Sequence, residues 1–230
     1  IPFYSEGALI SYRIYVEVKW LEELHKALKI PLAPQVKSQL EKLQGTQDPS
    51  TIETVKKIER KTNHDVKAVE YFLQEKLKEQ GATSQTLALI HFGCTSEDIN
   101  NLAYSLMIKN SIEKVILPWA KKIVRELTHK TREYAQIPML SRTHGQTASP
   151  STLGKEVGVF AYQLKKQISK LKHIAIEGKF NGAVGNFNAH TFAFPDLDWP
   201  MISSSFIKKL GLEVNPYTTQ IEPHDYISEL

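Results

Sequence analysis

Apolar residues recur along most of this chain at intervals of three and four, the period of a helix that lays one face on a core. The clearest run is Leu153, Val157, Phe160, Leu164, Ile168 and Leu171, spaced 4-3-4-4-3. With Ser149-Pro150 as its start and proline in the first turn, this run predicts a helix of about 25 residues, roughly 38 Å long. So narrow a seam on so long a helix belongs in a bundle, completed by other helices or other subunits. Leu9, Val16, Trp20, Leu24 and Leu28 predict an earlier amphipathic helix, ended by Ile30-Pro31 and Ala33-Pro34, because a residue before proline avoids the helical region. Val36 to Leu43 reads as a short helix and Gly45 to Pro49 as a loop. Ile52, Val55 and Ile58 line the next face, with Glu53 and Lys57 as an i,i+4 pair outside. Val66, Val69, Phe72 or Leu73, and Leu77 line another, capped by Asn63 or Thr62.

Gly81 to Thr86 is a polar turn, and Leu87 to Phe92 a short apolar run that Gly93 breaks. Ile99, Leu102 and Leu106 then open a helix that Pro118 kinks or restarts and that Ile123 and Leu127 carry on to Ala135. Ser203 to Leu210 is a last short helix, and Asn215 to Gln220 is extended and polar. No stretch reads as a convincing strand. The expected fold class is therefore mainly α: a small helical N-terminal domain over residues 1–85, then part of a long-helix bundle over residues 86–230.

Composition narrows the class without naming a function. The 230 residues are 41% hydrophobic and 23% charged, the balance of a soluble globular protein. One cysteine excludes an internal disulfide and suits a reducing, cytoplasmic setting. No apolar run is long enough to span a bilayer, so no membrane partner is expected. A net charge of +4 suits an anionic small molecule and falls short of a nucleic-acid stripe. The start, Ile1-Pro2-Phe3-Tyr4, lacks the charged region of a signal peptide, and Asp225 to Leu230 reads as the opening turns of a helix with no stop signal. The expectation is a piece of a longer protein.

Candidate chemistry gathers in three polar stretches. Ser141-Arg142-Thr143-His144-Gly145-Gln146 packs a hydroxyl, a guanidinium, an imidazole and an amide into one connection between two helical patterns. It suits an anionic ligand; a polar turn with a surface histidine is the plainer alternative. Thr62-Asn63-His64-Asp65 stands at a helix start, where unpaired N–H groups favour an anion, although simple capping also explains it. Thr95-Ser96-Glu97-Asp98 has capping-box spacing, and Ser96 with its neighbouring N–H groups suits a carboxylate. Gln220 and His224 either reach a site or lie on the surface. Metal binding has little support, since His91-x-x-Cys94 lacks a second ligand pair. There is no Gly-x-Ser-x-Gly elbow, and Cys94 in an apolar stretch reads as buried and inert. Histidine acid–base chemistry on an anionic substrate remains, with His144 and His64 as candidates.

Five stretches in one order carry a resemblance: Thr62-Asn63-His64-Asp65-Val66, Thr95-Ser96-Glu97-Asp98-Ile99-Asn100, Ser141 to Gln146, Gly182-Ala183-Val184-Gly185-Asn186, and Thr218-Thr219-Gln220-Ile221-Glu222-Pro223. Together they resemble the bacterial-type adenylosuccinate lyases of the fumarase/aspartase superfamily, over nearly the whole chain. The resemblance implies β-elimination of fumarate from adenylosuccinate, giving AMP, and from succinocarboxamide ribotide, giving the carboxamide, without a cofactor. It implies His144 as general acid, Thr95 and Ser96 as contacts to the succinyl carboxylates, and Asn63, His64 and Asp65 as the nucleotide-side pocket. In that pocket His64 assists catalysis or faces the phosphate. Gln220 is implied as a further substrate contact. It also implies a homotetramer whose active sites draw on three subunits.

The family's flexible loop with its catalytic serine does not occur in this sequence, and neither does the Arg-Tyr segment expected before residue 1. The expectation is an N-terminal and partial central-domain fragment with little or no lyase activity alone. Another superfamily lyase, such as argininosuccinate lyase or a fumarase, is the runner-up. A non-catalytic helical scaffold pairing through the Leu153–Leu171 seam comes next, and a nucleic-acid partner last.

Overall fold

The computed structural model describes residues 2–44 and 48–230. Most of the expected loop from Gly45 to Pro49 therefore lies outside the described residues. In chain order the elements are α1 (Glu6–Ala27), α2 (Pro34–Leu43), α3 (Pro49–Thr62), α4 (Asp65–Lys78), α5 (Ser84–Ala88), α6 (Ser96–Ser111), a π-helical turn (Ile112–Ile116) and α7 (Leu117–Glu133). Next come β1 (Pro138–Thr143), β2 (Gln146–Thr152), α8 (Leu153–Leu171), β3 (Glu177–Gly178), α9 (Asn188–Ala193), α10 (Trp199–Lys209), β4 (Glu213–Val214) and α11 (Asp225–Glu229). The fold is mainly α, as the apolar periodicity predicts. No helix among the described residues is long and apolar enough to cross a membrane.

The chain divides into two compact units, one of residues up to Lys109 with Ala175–Ser228, the other of Asn110–Ile174 with the last two residues. The grouping differs from a boundary near residue 85. Leu89, Ile90, Ile99, Leu102 and Leu106 share one buried cluster with Ile10, Trp20, Phe72 and Leu77, so the segments on either side of the polar turn pack into a single core.

In the first unit α1 is the central helix. Ile10, Ile14, Val18 and Leu21 are buried, and so are Val16, Trp20 and Leu24 on another face. A helix covered on several sides must also satisfy whatever polar groups it carries; Arg13, Glu17 and His25 are all buried on it. Trp20 is the hub of an aromatic cluster, 4.3 Å from the ring of Phe180 and 5.2 Å from that of Phe206, and its Nε1 donates to Phe92 O at 3.0 Å. His190 packs among Trp20, Phe92, Phe187 and Trp199. A side chain at Gly93 would collide with its ring, which accounts for that glycine. β3 and β4 pair in parallel, Glu177 opposite Glu213 and Gly178 opposite Val214.

The second unit departs from the sequence expectation in two places. Residues 138–152 form an antiparallel hairpin rather than a loop followed by a helix start. Thr143 pairs with Gln146, leaving His144-Gly145 as a two-residue turn with φ of 52° and 74°. Two successive positive φ values are the turn geometry that matches strand twist. The register shifts between Leu140 and Arg142, and Pro150, which has no N–H to give, sits opposite Leu140 beside that shift. The strands are illegible in the sequence because both are largely exposed and polar, so no alternation marks them.

Ser149-Pro150 thus belongs to β2, and the long helix begins later. Thr152 caps it by accepting Lys155 N–H at 3.2 Å, and α8 runs 19 residues. The face of α8 that is buried in this unit is Gly154, Ala161 and Ile168, whereas Phe160 of the expected seam is 65% exposed. Small residues dominate because α7 comes close: a Cβ on Gly154 would lie 2.5 Å from Thr131 O. The expected interruption at Pro118 is a π turn, where Leu117 N–H reaches back five residues to Ile112 O before α7 resumes.

Among the buried polar groups of the first unit is the pair Lys179–Asp98, Nζ to Oδ1 at 2.9 Å, with both side chains wholly buried. Removing one partner strands the other charge in the interior. Lys179→Met in the intact protein is expected to cost about 3–5 kcal/mol of stability in urea unfolding; a loss below about 1 kcal/mol would show that the pair is not a structural anchor.

Candidate functional site

Three polar stretches of the first unit meet around the start of α6. Asp98 organises the meeting. Its Oδ2 accepts Thr95 N–H at 2.8 Å, the return half of the predicted capping box. Its Oδ1 takes the Lys179 ammonium and Asn181 N–H, the latter at 3.1 Å. Lys179 Nζ also donates to Gly182 O at 3.0 Å, and the Asn101 side chain holds the Lys179 backbone from both sides. Asn181 Nδ2 donates to Thr218 Oγ1 at 2.8 Å, and two residues later Gln220 Nε2 donates to Thr95 Oγ1 at 3.2 Å. The path Asp98–Asn181–Thr218–Gln220–Thr95–Asp98 is therefore closed. The Thr95 hydroxyl is turned toward Gln220 and not used up as a conventional cap. A side chain at Gly185 would run into the Thr218 backbone, which explains why the glycine-rich stretch can lie so close to Thr218-Thr219.

The Asn63-His64-Asp65 stretch joins α3 to α4. Asn63 takes the left-handed conformation that ends α3, its N–H bonding to Glu59 O at 2.8 Å. His64, extended at φ −152°, is the N-cap of α4, and neither Asn63 nor Thr62 fills that place: its Nδ1 accepts Lys67 N–H at 3.2 Å. Its Nε2 lies 3.5 Å from Ser96 Oγ, which brings the first two motifs together. Asp65 is held by Arg13, whose Nη2 meets Oδ2 at 2.5 Å while its Nε donates to Asn100 Oδ1 at 2.8 Å. One buried guanidinium thus pins α4 and α6 to α1. An open cavity of about 460 Å³ is lined here by Lys56, Glu59, Arg60, Asn63, His64 and Asp65.

His64, Asp65, Thr95, Ser96 and Gln220 are thereby brought into one hydrogen-bonded neighbourhood, with Asn63 beside them. His144 belongs to the other unit, exposed at the tip of its hairpin. His224 is half-buried between two carboxylates, Nε2 at 3.2 Å from Glu97 Oε1 and Nδ1 at 3.2 Å from Glu222 Oε2. Cys94 is pushed well up by burial, with Glu17 and Asp98 adding to the shift, so little thiolate exists at neutral pH. Among the described residues no group of three His, Cys, Asp or Glu side chains is placed to hold a metal.

Sequence reasoning missed Arg13, Lys179, Asn181 and the couple His91–Glu17, which is joined at 2.5 Å with Glu17 wholly buried. An arginine, a glutamate or a lysine in a helical pattern reads as a solvated face. The one available signal was the polarity of Arg13 and Glu17 four residues apart among α1's apolar positions.

Two pH dependences of opposite sign result. Burial opposes the Asp65 charge, but the Arg13 guanidinium and Val66 N–H outweigh it and hold the carboxyl below its usual range. That contribution is present above the unfolded Asp value, about 3.9, and is lost as pH falls through the folded one. Burial likewise opposes a charged His91, yet the Glu17 carboxylate and its hydrogen bond raise the ring's pKa. That contribution is present below about 6.5 and is lost as pH rises through the raised value. In thermal unfolding of the intact protein, the deficit of Asp65→Asn is expected to narrow as pH falls below ~4 and that of His91→Asn to narrow as pH rises above ~6.5; deficits that move together with pH would contradict both assignments.

A family model described as "Lyase" matches residues 6–230. The adenylosuccinate lyase of Haemophilus influenzae is 48% identical over 98% of this chain and 50% of that protein. The adenylosuccinate lyase of Escherichia coli K12 is 48% identical over 99% and 51%. The chain spans about half the length of the curated relatives it matches. Among solved structures, a fumarate lyase from Mesorhizobium sp. BNC1 superposes with a TM-score of 0.77 at 20% identity, over 99% of this chain and 51% of that one. A β-carboxy-cis,cis-muconate cycloisomerase from Acinetobacter calcoaceticus gives 0.75 at 20% identity, over 98% and 51%. At that identity the likeness speaks for the fold alone.

Proposed function

Because the chain belongs to the lyase family, we propose that the protein it forms is an adenylosuccinate lyase, eliminating fumarate from adenylosuccinate and from the succinocarboxamide ribotide. The observation that carries this reading is the convergence of His64, Thr95, Ser96 and Gln220 from three distant stretches at the start of α6. Its donors suit a carboxylate, and the adjoining cavity offers room on the side of Asn63-His64-Asp65 for a nucleotide. In the reaction a base removes the proton beside a carboxylate, the electrons form the new C=C bond, and the C–N bond breaks. The departing nitrogen takes a proton from an acid. The demand on the protein is to stabilise the negative charge that develops on the carboxylate, which preorganised donors do best where water is excluded.

His144 is the proposed acid. Its place in a two-residue turn puts the imidazole at the outermost point of a hairpin, where it can be offered to a site assembled from more than one stretch of chain. The proposed assembly is a homotetramer working in the cytoplasm without a cofactor. The exposed apolar side chains of the second unit, Trp119, Ile123 and Phe160, suit burial against other copies.

The test is fumarate release from adenylosuccinate by the intact protein and by residues 1–230 alone. The intact protein is expected to turn over and the shorter chain to be nearly inert. His144→Gln in the intact protein is expected to lower kcat by about 10²–10⁴-fold with little change in substrate binding. Near-normal turnover by His144→Gln would remove it from the mechanism. Absence of elimination by the intact protein would move the search to other succinyl compounds or to a non-catalytic scaffold.

A further inference from the structure

We propose that His224 is a positioning residue for Gln220. By bridging Glu97 of α6 to Glu222, it holds the segment that carries the Gln220 amide beside Thr95 and Ser96. The inference rests on the lyase reading above, in which Gln220 contacts the substrate, and adds the residue that sets where that contact is made.

Gln220 needs such a hold. It lies in a stretch, Asn215 to His224, that belongs to no helix or strand. Its upstream tether is Thr218, bonded to Asn181. One tether two residues away fixes a point and leaves the chain free to turn about it. The downstream tether is the His224 ring. Its Nε2 lies 3.2 Å from Glu97 Oε1, and its Nδ1 lies 3.2 Å from Glu222 Oε2. Glu97 directly follows Ser96, so the bridge ties the Gln220 segment to the same helical turn that presents the Ser96 hydroxyl. Glu222, two residues beyond Gln220, is wholly buried; its Oε1 accepts the Asn215 amide at 2.9 Å and its Oε2 the His224 N–H at 2.6 Å. Asn215 and Glu222 thus join the two ends of the stretch, with Gln220 between them.

The backbone shows that the ring's place is enforced. His224 has φ of 60°, the left-handed region that a residue with a Cβ rarely adopts. Glycine or asparagine would sit there at less cost. Histidine brings instead a ring that reaches a carboxylate on another element. The start of α11 has an anchor of its own: the Tyr226 hydroxyl lies 2.8 Å from Ser105 Oγ, further along α6. The bridge to Glu97 is therefore not needed to dock α11, and what it adds is the position of the residues before it.

His224→Asn in the intact protein isolates the bridge. Asparagine tolerates the left-handed backbone and still offers an amide toward Glu222, but it is too short to reach Glu97. The expected result is a Tm within a few degrees of wild type and a kcat/KM for adenylosuccinate lowered about tenfold to a hundredfold, the scale of a misplaced contact. His224→Arg carries N–H donors for both carboxylates in one fork and is expected to recover most of that loss. Made on Gln220→Ala, His224→Asn is expected to cost almost nothing further, because the ring acts through that amide. A kcat/KM for His224→Asn within about twofold of wild type would overturn the proposal. So would a loss that His224→Arg does not recover, or one of equal size on both backgrounds. Glu97→Ala breaks the same bridge from the other side and decides the matter if His224→Asn does not fold; the same loss, again absent on Gln220→Ala, is expected of it.

Crystal structures of the intact protein and of its His224→Asn variant read the geometry without any reaction. The Gln220 amide, 3.2 Å from Thr95 Oγ1 with the bridge in place, is expected to leave that hydroxyl in the variant. An amide that stays at Thr95 would overturn the proposal. A wild-type protein that does not eliminate fumarate, together with a Gln220 displaced in His224→Asn, would sink only the lyase reading.

Discussion

A charge pair with no access to water constrains everything built around it. Asp98 and Lys179 are wholly buried, and such a pair persists only if the remaining lone pairs and protons are also met. Here they are met by backbone: Thr95 and Asn181 donate to the carboxylate, and Gly182 accepts from the ammonium. The start of α6 and the glycine-rich stretch therefore cannot move independently. The polar groups of the proposed site are hung on this frame. Thr95 is one bond from Asp98, and Gln220 is reached through Asn181 and Thr218. The charged interior is thus paired and hydrogen-bonded within the fold itself, and its costly electrostatics are settled before any ligand arrives.

Arg13 makes a second, independent tie. By bonding both Asp65 and Asn100 from the central helix, it fixes the spacing of the two motifs whose side chains, His64 and Ser96, approach each other. A lysine could pair with Asp65 but has no planar fork with which to hold Asn100 as well.

The helices are legible in the sequence wherever one face is apolar and the other wet. α3 and α4 show their faces there, and the Glu53–Lys57 pair stands where the i,i+4 rule puts it, at 2.8 Å. The features that stay hidden have physical causes. The hairpin of residues 138–152 buries little, so it leaves no alternating pattern. The close contact of α7 and α8 runs through Gly154 and Gly158, which carry no hydrophobic signal. Of the site, the motif residues are visible as polar clusters, and Thr95 with Asp98 as a cap. Lys179 is not, since a buried lysine and a solvated one look alike until the fold sets its partner. The capping role of His64 is equally invisible, because histidine is an uncommon N-cap.

We infer that a preorganised set of donors awaits an anion at the start of α6. A crystal structure of the intact protein with AMP and fumarate bound is the decisive measurement. The expected result is a ligand carboxylate within hydrogen-bond distance of the Thr95 and Ser96 hydroxyls, a ligand oxygen beside His64, and Asp98–Lys179 unmoved. A fumarate seated away from these groups, or a ligand reached only after the buried pair separates, would contradict it.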